Sequence, residues 1–355
     1  MNRTKTLLFV VTLALAVPAC SSNAPTAEKK NEPAALPDQR VTLPTPVALP
    51  PLETPADNPM TPEKAGLGKQ LFFDKRLSKT GNMSCETCHL PEKGWADGNA
   101  LSARFDGSMN TRHTPTLYNV GYYKQWYWDG RAATLEAQIV AAWRGQMGGD
   151  PEAVAKTLND IPAYKQQFEQ YTGGPATPDS ISKSLATFVR TIVSDDAPWD
   201  RYEKGNKDAV SADAIAGFDV FSKTASCTNC HLPPLYTDTL FHNIGVGYDK
   251  PMPDPGRGKI LNDKDPKDPE AKTLMGAFKT PTMRSVTEHP PYFHNGSAAS
   301  LEDAVDFVVK GGIKNPNLDG KLQAKNLNGQ QRNQLMAFIK ALTPEQKPFE
   351  RPKLP

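Results

Sequence analysis

Four of the chain's five cysteines fall into two copies of one pentapeptide, Cys85-Glu86-Thr87-Cys88-His89 and Cys227-Thr228-Asn229-Cys230-His231. Cys-x-x-Cys-His is the attachment signature of a c-type haem. Two thiols three positions apart on one helical turn reach the two vinyl groups of a single porphyrin, and the adjacent His lies under the iron as an axial ligand. Paired cysteines also build zinc sites and thioredoxin-like redox centres. A zinc ribbon keeps its two pairs close in sequence, whereas these lie 142 residues apart. Five cysteines in 355 residues are too few for a disulfide scaffold. The reading is two covalent haems, attached through Cys85, Cys88, Cys227 and Cys230, with His89 and His231 as iron ligands.

The length suits two domains. With 38% hydrophobic and 23% charged residues the chain has material for real cores, which excludes global disorder. Its 41 basic and 39 acidic residues leave a net charge of +2. That balance argues against a nucleic-acid binder, which needs a concentrated basic face. Residues 1–20 read as a signal peptide, with Arg3 and Lys5 before an apolar stretch from Leu7 to Val17 that is too short to span a bilayer. Val17-Pro18-Ala19-Cys20 resembles a lipobox with Cys20 as the lipidated residue; ordinary cleavage, leaving Cys20 a spare thiol, is the alternative. Ser21 and Ser22 then favour the outer membrane, so the expected location is the periplasm, with membrane contact only through the lipid. Residues 21–61, rich in Pro, Ala and Thr, read as a disordered tether. The body divides into a first haem domain, 62–204, and a second, 205–345, followed by a tail, 346–355.

The fold class is mainly α: two cytochrome-c-like haem domains packed against each other. An amphipathic helix precedes each pentapeptide, Gly66–Phe73 in the first block and Ala216–Phe221 in the second, which makes an internal repeat. Apolar spacing predicts further helices over Ala132–Trp143, Pro151–Leu158, Ser180–Val193, Leu301–Val309 and Gln331–Leu342. Asp150 and Pro151 form a helix start. Strand signals are weak, and Gly256–Glu270 reads as an exposed loop.

Further segments carry a resemblance. They are Leu67-Gly68-Lys69 through Phe72-Phe73-Asp74, Arg76-Leu77-Ser78, Thr114-Pro115-Thr116-Leu117, Trp128-Asp129-Gly130-Arg131-Ala132, Phe241-His242-Asn243-Ile244-Gly245, Phe278-Lys279-Thr280-Pro281-Thr282 and Pro291-Tyr292-Phe293-His294-Asn295-Gly296. With the two pentapeptides they make the chain resemble the bacterial di-haem cytochrome c peroxidase and MauG family over residues 61–345. The resemblance implies a first haem that reacts with hydrogen peroxide and a second that relays electrons. One branch of the family reduces peroxide with electrons from a small cytochrome c or copper protein. The MauG-like branch uses peroxide to oxidise side chains, often Trp, on a partner protein. A non-catalytic electron-transfer cytochrome is the reading from another class, and the resemblance also allows a homodimer.

Carried over residue by residue, Trp128 matches the Trp that relays electrons between the haems, and Gln138 matches the Gln of the peroxide pocket. Gln146 falls where the family has a Glu; an amide orients peroxide but cannot titrate. Arg144 is the other polar candidate there. The His that caps the first haem at rest in the peroxidases falls on Phe105, and Leu101–Arg112 contains no His. The first haem is therefore expected to be open. His113 replaces an Asn that helps hold an interdomain Ca²⁺, and imidazole is a poor Ca²⁺ ligand. The Met or Tyr ligand of the second haem falls on Val308, which cannot bind iron. The second haem is then expected to be five-coordinate, water-bound or ligated from elsewhere, with Met275, Met283 and His294 as the candidates for a ligand.

Overall fold

The computed structural model describes residues 38–355. Residues 1–20, read as a signal peptide with Cys20 at its end, and the expected tether up to residue 37 lie outside the described residues. The described chain is mainly helical. Its helices are α1 (Pro62–Phe73), α2 (Leu135–Gly145), α3 (Pro151–Asn159), α4 (Pro162–Thr172), α5 (Pro178–Arg190), α6 (Pro198–Glu203), α7 (Ala212–Asp219), α8 (Gly256–Lys264), α9 (Pro269–Thr273), α10 (Leu301–Val309) and α11 (Gly329–Lys340). Two short strands, β1 (Phe241–His242) and β2 (Phe278–Lys279), pair antiparallel with Phe241 opposite Lys279.

Capping chemistry sets where the helices begin. Thr134 accepts the Ala137 N–H, so α2 starts at Leu135 rather than at Ala132. Asp150 caps α3 with Pro151 in its first turn, as read from the sequence. Thr177 and Ser180 form a capping box that starts α5 at Pro178, and Asn328 with Gln331 does the same for α11.

Helix α1 packs against α5, and α7 against α11. Around these crossings the apolar residues form two clusters. One holds Leu67, Phe72, Trp95, Trp143 and Phe188; the other holds Trp199, Phe221, Tyr236, Phe338 and Leu342. The repeat extends beyond the haem motifs. A bridge Trp126–Ala132 leads into α2, and a bridge Tyr292–Ala298 leads into α10. Tyr127 and Phe293, at matching places in these turns, both sit in the left-handed region at φ 68° and 70°.

Two sequence expectations need correction. Residues 38–61 are not a free tether. Leu49 and Asn58 are buried, and Asp195 accepts the Val47 and Ala48 N–H groups. A proline-rich chain forms no helix, but an extended one is held where side chains satisfy its backbone. Gly256–Glu270 is not an exposed loop: it contains α8 and the start of α9, with Gly258 against the α9 backbone and Leu261 and Ala271 buried. The tail crosses back to the first cluster, where Phe349 stacks on Phe73 at 5.5 Å and meets Trp95 edge-on at 5.0 Å.

Candidate functional site

Each pentapeptide forms a short 3-10 turn, Cys85–Thr87 and Cys227–Asn229, with the His immediately after its second cysteine. The two histidines are held alike. His89 Nδ1 donates to the Trp95 carbonyl at 2.8 Å, and His231 Nδ1 donates to the Tyr236 carbonyl at 2.9 Å. That bond fixes the tautomer and leaves Nε2 with its lone pair for a metal. Burial pushes both imidazoles below their ordinary pKa, toward the neutral ligand form. Burial also pushes the thiols of Cys85 and Cys227 up to about 12 and that of Cys88 to about 11. Such thiols are protonated at neutral pH, unlike zinc-bound or redox cysteines.

Each turn opens onto a cavity, of about 470 Å³ over His89 and about 250 Å³ over His231. Both are walled mainly by apolar side chains. Cys–His pairs on turns, imidazoles with free Nε2 and apolar slots of this size fit covalent haem. The one grouping of three metal-ligating side chains among the described residues is Cys230, Asp238 and His242. It is not a separate metal centre: both His242 nitrogens already pair with Asp238 and Asp319, and Cys230 belongs to the attachment motif.

His113, Pro115, Thr116, Trp128, Lys279 and Pro281 line both cavities and so form their common wall. Trp128 sits in this wall with Nε1 donating to the His113 carbonyl at 2.9 Å, while its own carbonyl accepts the Lys279 N–H at 2.8 Å. The His113 N–H in turn donates to the His294 carbonyl at 2.7 Å. The indole is thereby tied to both halves of the chain.

Gln138 on α2 and Gln146 at its end both line the first cavity, and the Gln146 amide oxygen is buried without a partner. Arg144 is exposed on the outer side of α2 and takes no part in that cavity. Phe105 is also absent from the wall: its ring packs on Gly148, and its N–H donates to the Gln146 carbonyl. His113 Nδ1 donates to the Asn99 carbonyl. It offers an N–H where a Ca²⁺ site needs oxygen, so this position does not fit that ion.

Val308 lines the second cavity, as do Met283 and His294; Met275 does not, because its segment packs on Gly258 and Asn243. The His294 ring is stacked on Phe278 at 3.6 Å. Sequence reasoning missed His289, which is buried on the wall of the second cavity with Nε2 unpartnered. It also missed Lys279, which lay inside a quoted motif without a role, and Arg112. The Arg112 guanidinium lines the first cavity and bonds both Asp129 and Asp254.

Residues 62–208 match the family model described as di-haem cytochrome c peroxidase. The chain is 38% identical to the methylamine utilization protein MauG of Methylorubrum extorquens, over 85% of this chain and 84% of that one. It is 36% identical to cytochrome-c peroxidase IdrP1 of Denitromonas iodatirespirans, over 86% and 89%. Among solved structures, a MauG-like protein associated with microbial copper homeostasis matches with a TM-score of 0.75 and 28% identity, over 85% of this chain and 95% of that one.

Proposed function

Because the chain belongs to the di-haem cytochrome c peroxidase and MauG family, we propose that peroxide is reduced over the first cavity with electrons that enter through the second. The chain is a peroxidase-type oxidoreductase acting on hydrogen peroxide. The donor in this reading is a small redox protein, a cytochrome c or a copper protein. The export signal read in residues 1–20 supports a periplasmic encounter between the two, with Cys20 as the anchor.

When bound, the two haems supply the redox chemistry, taking up the oxidising equivalents of peroxide and passing electrons between donor and substrate. The rest falls to this chain. His89 and His231 present Nε2 because their Nδ1–H groups are held by backbone carbonyls. Gln138 and Gln146 supply amides that orient peroxide by hydrogen bonds. Neither amide exchanges protons, so water or another group carries the proton from one peroxide oxygen to the other, or peroxide turnover is slow.

The observation that carries this reading is Trp128 in the wall common to both cavities, its indole fixed on the His113 carbonyl. The test is steady-state peroxide reduction by the haem-loaded protein with a reduced small cytochrome c as donor. Turnover that saturates with the donor supports the reading. Failure with every small donor overturns it.

A second reading, MauG-like oxidation of a partner protein, is favoured by one observation. Phe105 packs away from the first cavity and the 101–112 loop offers no imidazole to close it. Under that reading, peroxide with no donor oxidises Trp side chains of a co-purifying protein.

A further inference from the structure

The repeat places His113 of His-Thr-Pro-Thr and Lys279 of Lys-Thr-Pro-Thr at matching positions, and both lie in the wall between the cavities. Lys279 leaves the second half of the chain at β2, and its side chain crosses into the first. Its Nζ donates to the Gln125 carbonyl at 2.7 Å and stands 4.2 Å over the centre of the Tyr123 ring.

The residue is 7% exposed, and among the described residues no carboxylate lies within ion-pair distance of Nζ. The one acid that acts on it is Asp129, whose carboxylate is already bonded by Arg112 and Arg131. A buried ammonium with three N–H groups, one neutral acceptor and no counter-charge is costly. Burial, only partly offset by the charge of Asp129, pushes it down to about 7.

The other cations around the first cavity are differently placed. Arg112 has two carboxylates and Arg131 shares one of them. Arg104 is bonded to the Asn110 amide and is only partly buried.

A haem brings two propionate carboxylates into the cavity it fills. We propose that Lys279 is the cation that pairs with a propionate of the first haem, reaching it from the second half of the chain. This rests on the two-haem reading. The choice of the first haem follows from the partners of Nζ. Gln125 and Tyr123 belong to the first half of the chain, and Tyr123 lines the first cavity and not the second. Lys279 is thus a positioning and potential-setting residue. A fixed positive charge beside the first haem favours its reduced state, and the same residue's N–H holds the Trp128 carbonyl.

The test uses haem-loaded protein carrying Lys279→Gln, which keeps a donor for the Gln125 carbonyl but no charge, and Lys279→Arg, which keeps the charge. Far-ultraviolet circular dichroism confirms folding, and the pyridine haemochrome counts haems. Redox titration followed by optical and EPR signals separates the two sites, and resonance Raman reads the propionate bending bands. The expected result is a lower midpoint potential for the first haem and a shifted propionate band in Lys279→Gln, both restored toward wild type in Lys279→Arg. An unchanged first-haem potential, or a shift confined to the second haem, overturns the proposal. A wild-type protein that carries fewer than two haems overturns the two-haem reading itself, and is recognised before any variant is compared.

Discussion

Gly68 and Gly217 stand at the same point of two helix crossings. A methyl group on Gly68 would meet the Ser184 carbonyl oxygen at 1.9 Å and Phe188 Cβ at 2.9 Å; one on Gly217 would meet the Gln334 carbonyl oxygen at 1.9 Å and Phe338 Cβ at 2.8 Å. In both cases the obstacle is backbone, which cannot rotate away. Gly68→Ala and Gly217→Ala should each force the helices apart and cost about 1–3 kcal/mol or more. Gly329→Ala is the control: nothing lies within 4 Å of its added carbon, so its effect should stay within ~0.5 kcal/mol or be stabilising. Chemical denaturation of the three variants reads the difference.

Trp128→Phe removes the N–H that the His113 carbonyl accepts, while the ring still fills the wall between the cavities. The cost is the unpaired carbonyl, about 1–3 kcal/mol. Both haems should remain attached, because no residue of either pentapeptide is touched. Electron transfer between the sites should slow. Rapid mixing of half-reduced protein with peroxide measures it, and wild-type rates in the variant would remove Trp128 from the relay.

Glu136 joins four segments. It accepts from Arg190 on α5 at 2.6 Å and from Asn58 at 2.7 Å, and Asn58 in turn accepts from Lys64 on α1 at 2.8 Å. Burial alone would raise its carboxyl, but the bonds from Arg190 and Asn58 outweigh that and hold it below the ordinary value of 4.5. Arg190 is 3% exposed, so Glu136→Gln leaves a buried unpaired guanidinium and should cost about 3 kcal/mol at neutral pH. A depressed carboxylate pKa contributes stability above its unfolded value, lost as pH falls through the folded one. The gap between wild type and Glu136→Gln should therefore be full above 4.5 and narrow below it. Thermal melts across acidic pH measure that gap.

Much of this was legible in the sequence because it is local. A Cys-x-x-Cys-His turn, an Asp150-Pro151 helix start and the apolar face of α10 need only neighbouring residues. What stayed hidden depends on distant partners. Phe349 is one aromatic among prolines and charges, with no period to show that it packs on Phe73. Lys279 reads as a surface residue until β2 turns its side chain inward. Gly256–Glu270 is too polar to announce two helices, which form because Gly258 allows α8 to approach α9. Val308 is the intermediate case: counting along the motif placed it at the second cavity, but only the wall of that cavity shows His289 nearby.

The tail predicts its own variant. Phe349 is half-buried between Phe73 and Trp95, and Arg351 pairs with Glu86 and Glu92 beside the first attachment turn. Removing residues 346–355 should cost about 2 kcal/mol from the lost ring contacts. The exposed ion pairs add little. Trp95 carries the carbonyl that holds His89, so the optical spectrum of the first haem should change while that of the second does not.

The resting state gives the last prediction. A first site that needs activation requires a side chain that closes it and leaves on reduction. Within 101–112 no residue has an imidazole, Phe105 is packed on Gly148, and Arg104 is engaged by Asn110. His113 is the nearest imidazole, but its Nδ1 is committed to the Asn99 carbonyl and its backbone to His294 and Trp128. Releasing it would break the wall between the cavities. The fully oxidised protein should therefore react with one equivalent of peroxide without prior reduction. Stopped-flow absorbance should show the change in the first mixing phase, and pre-reducing one haem should not accelerate it. A reaction that begins only after one electron is added would mean that another side chain closes the first cavity, and His113 would be the first to replace, as His113→Asn.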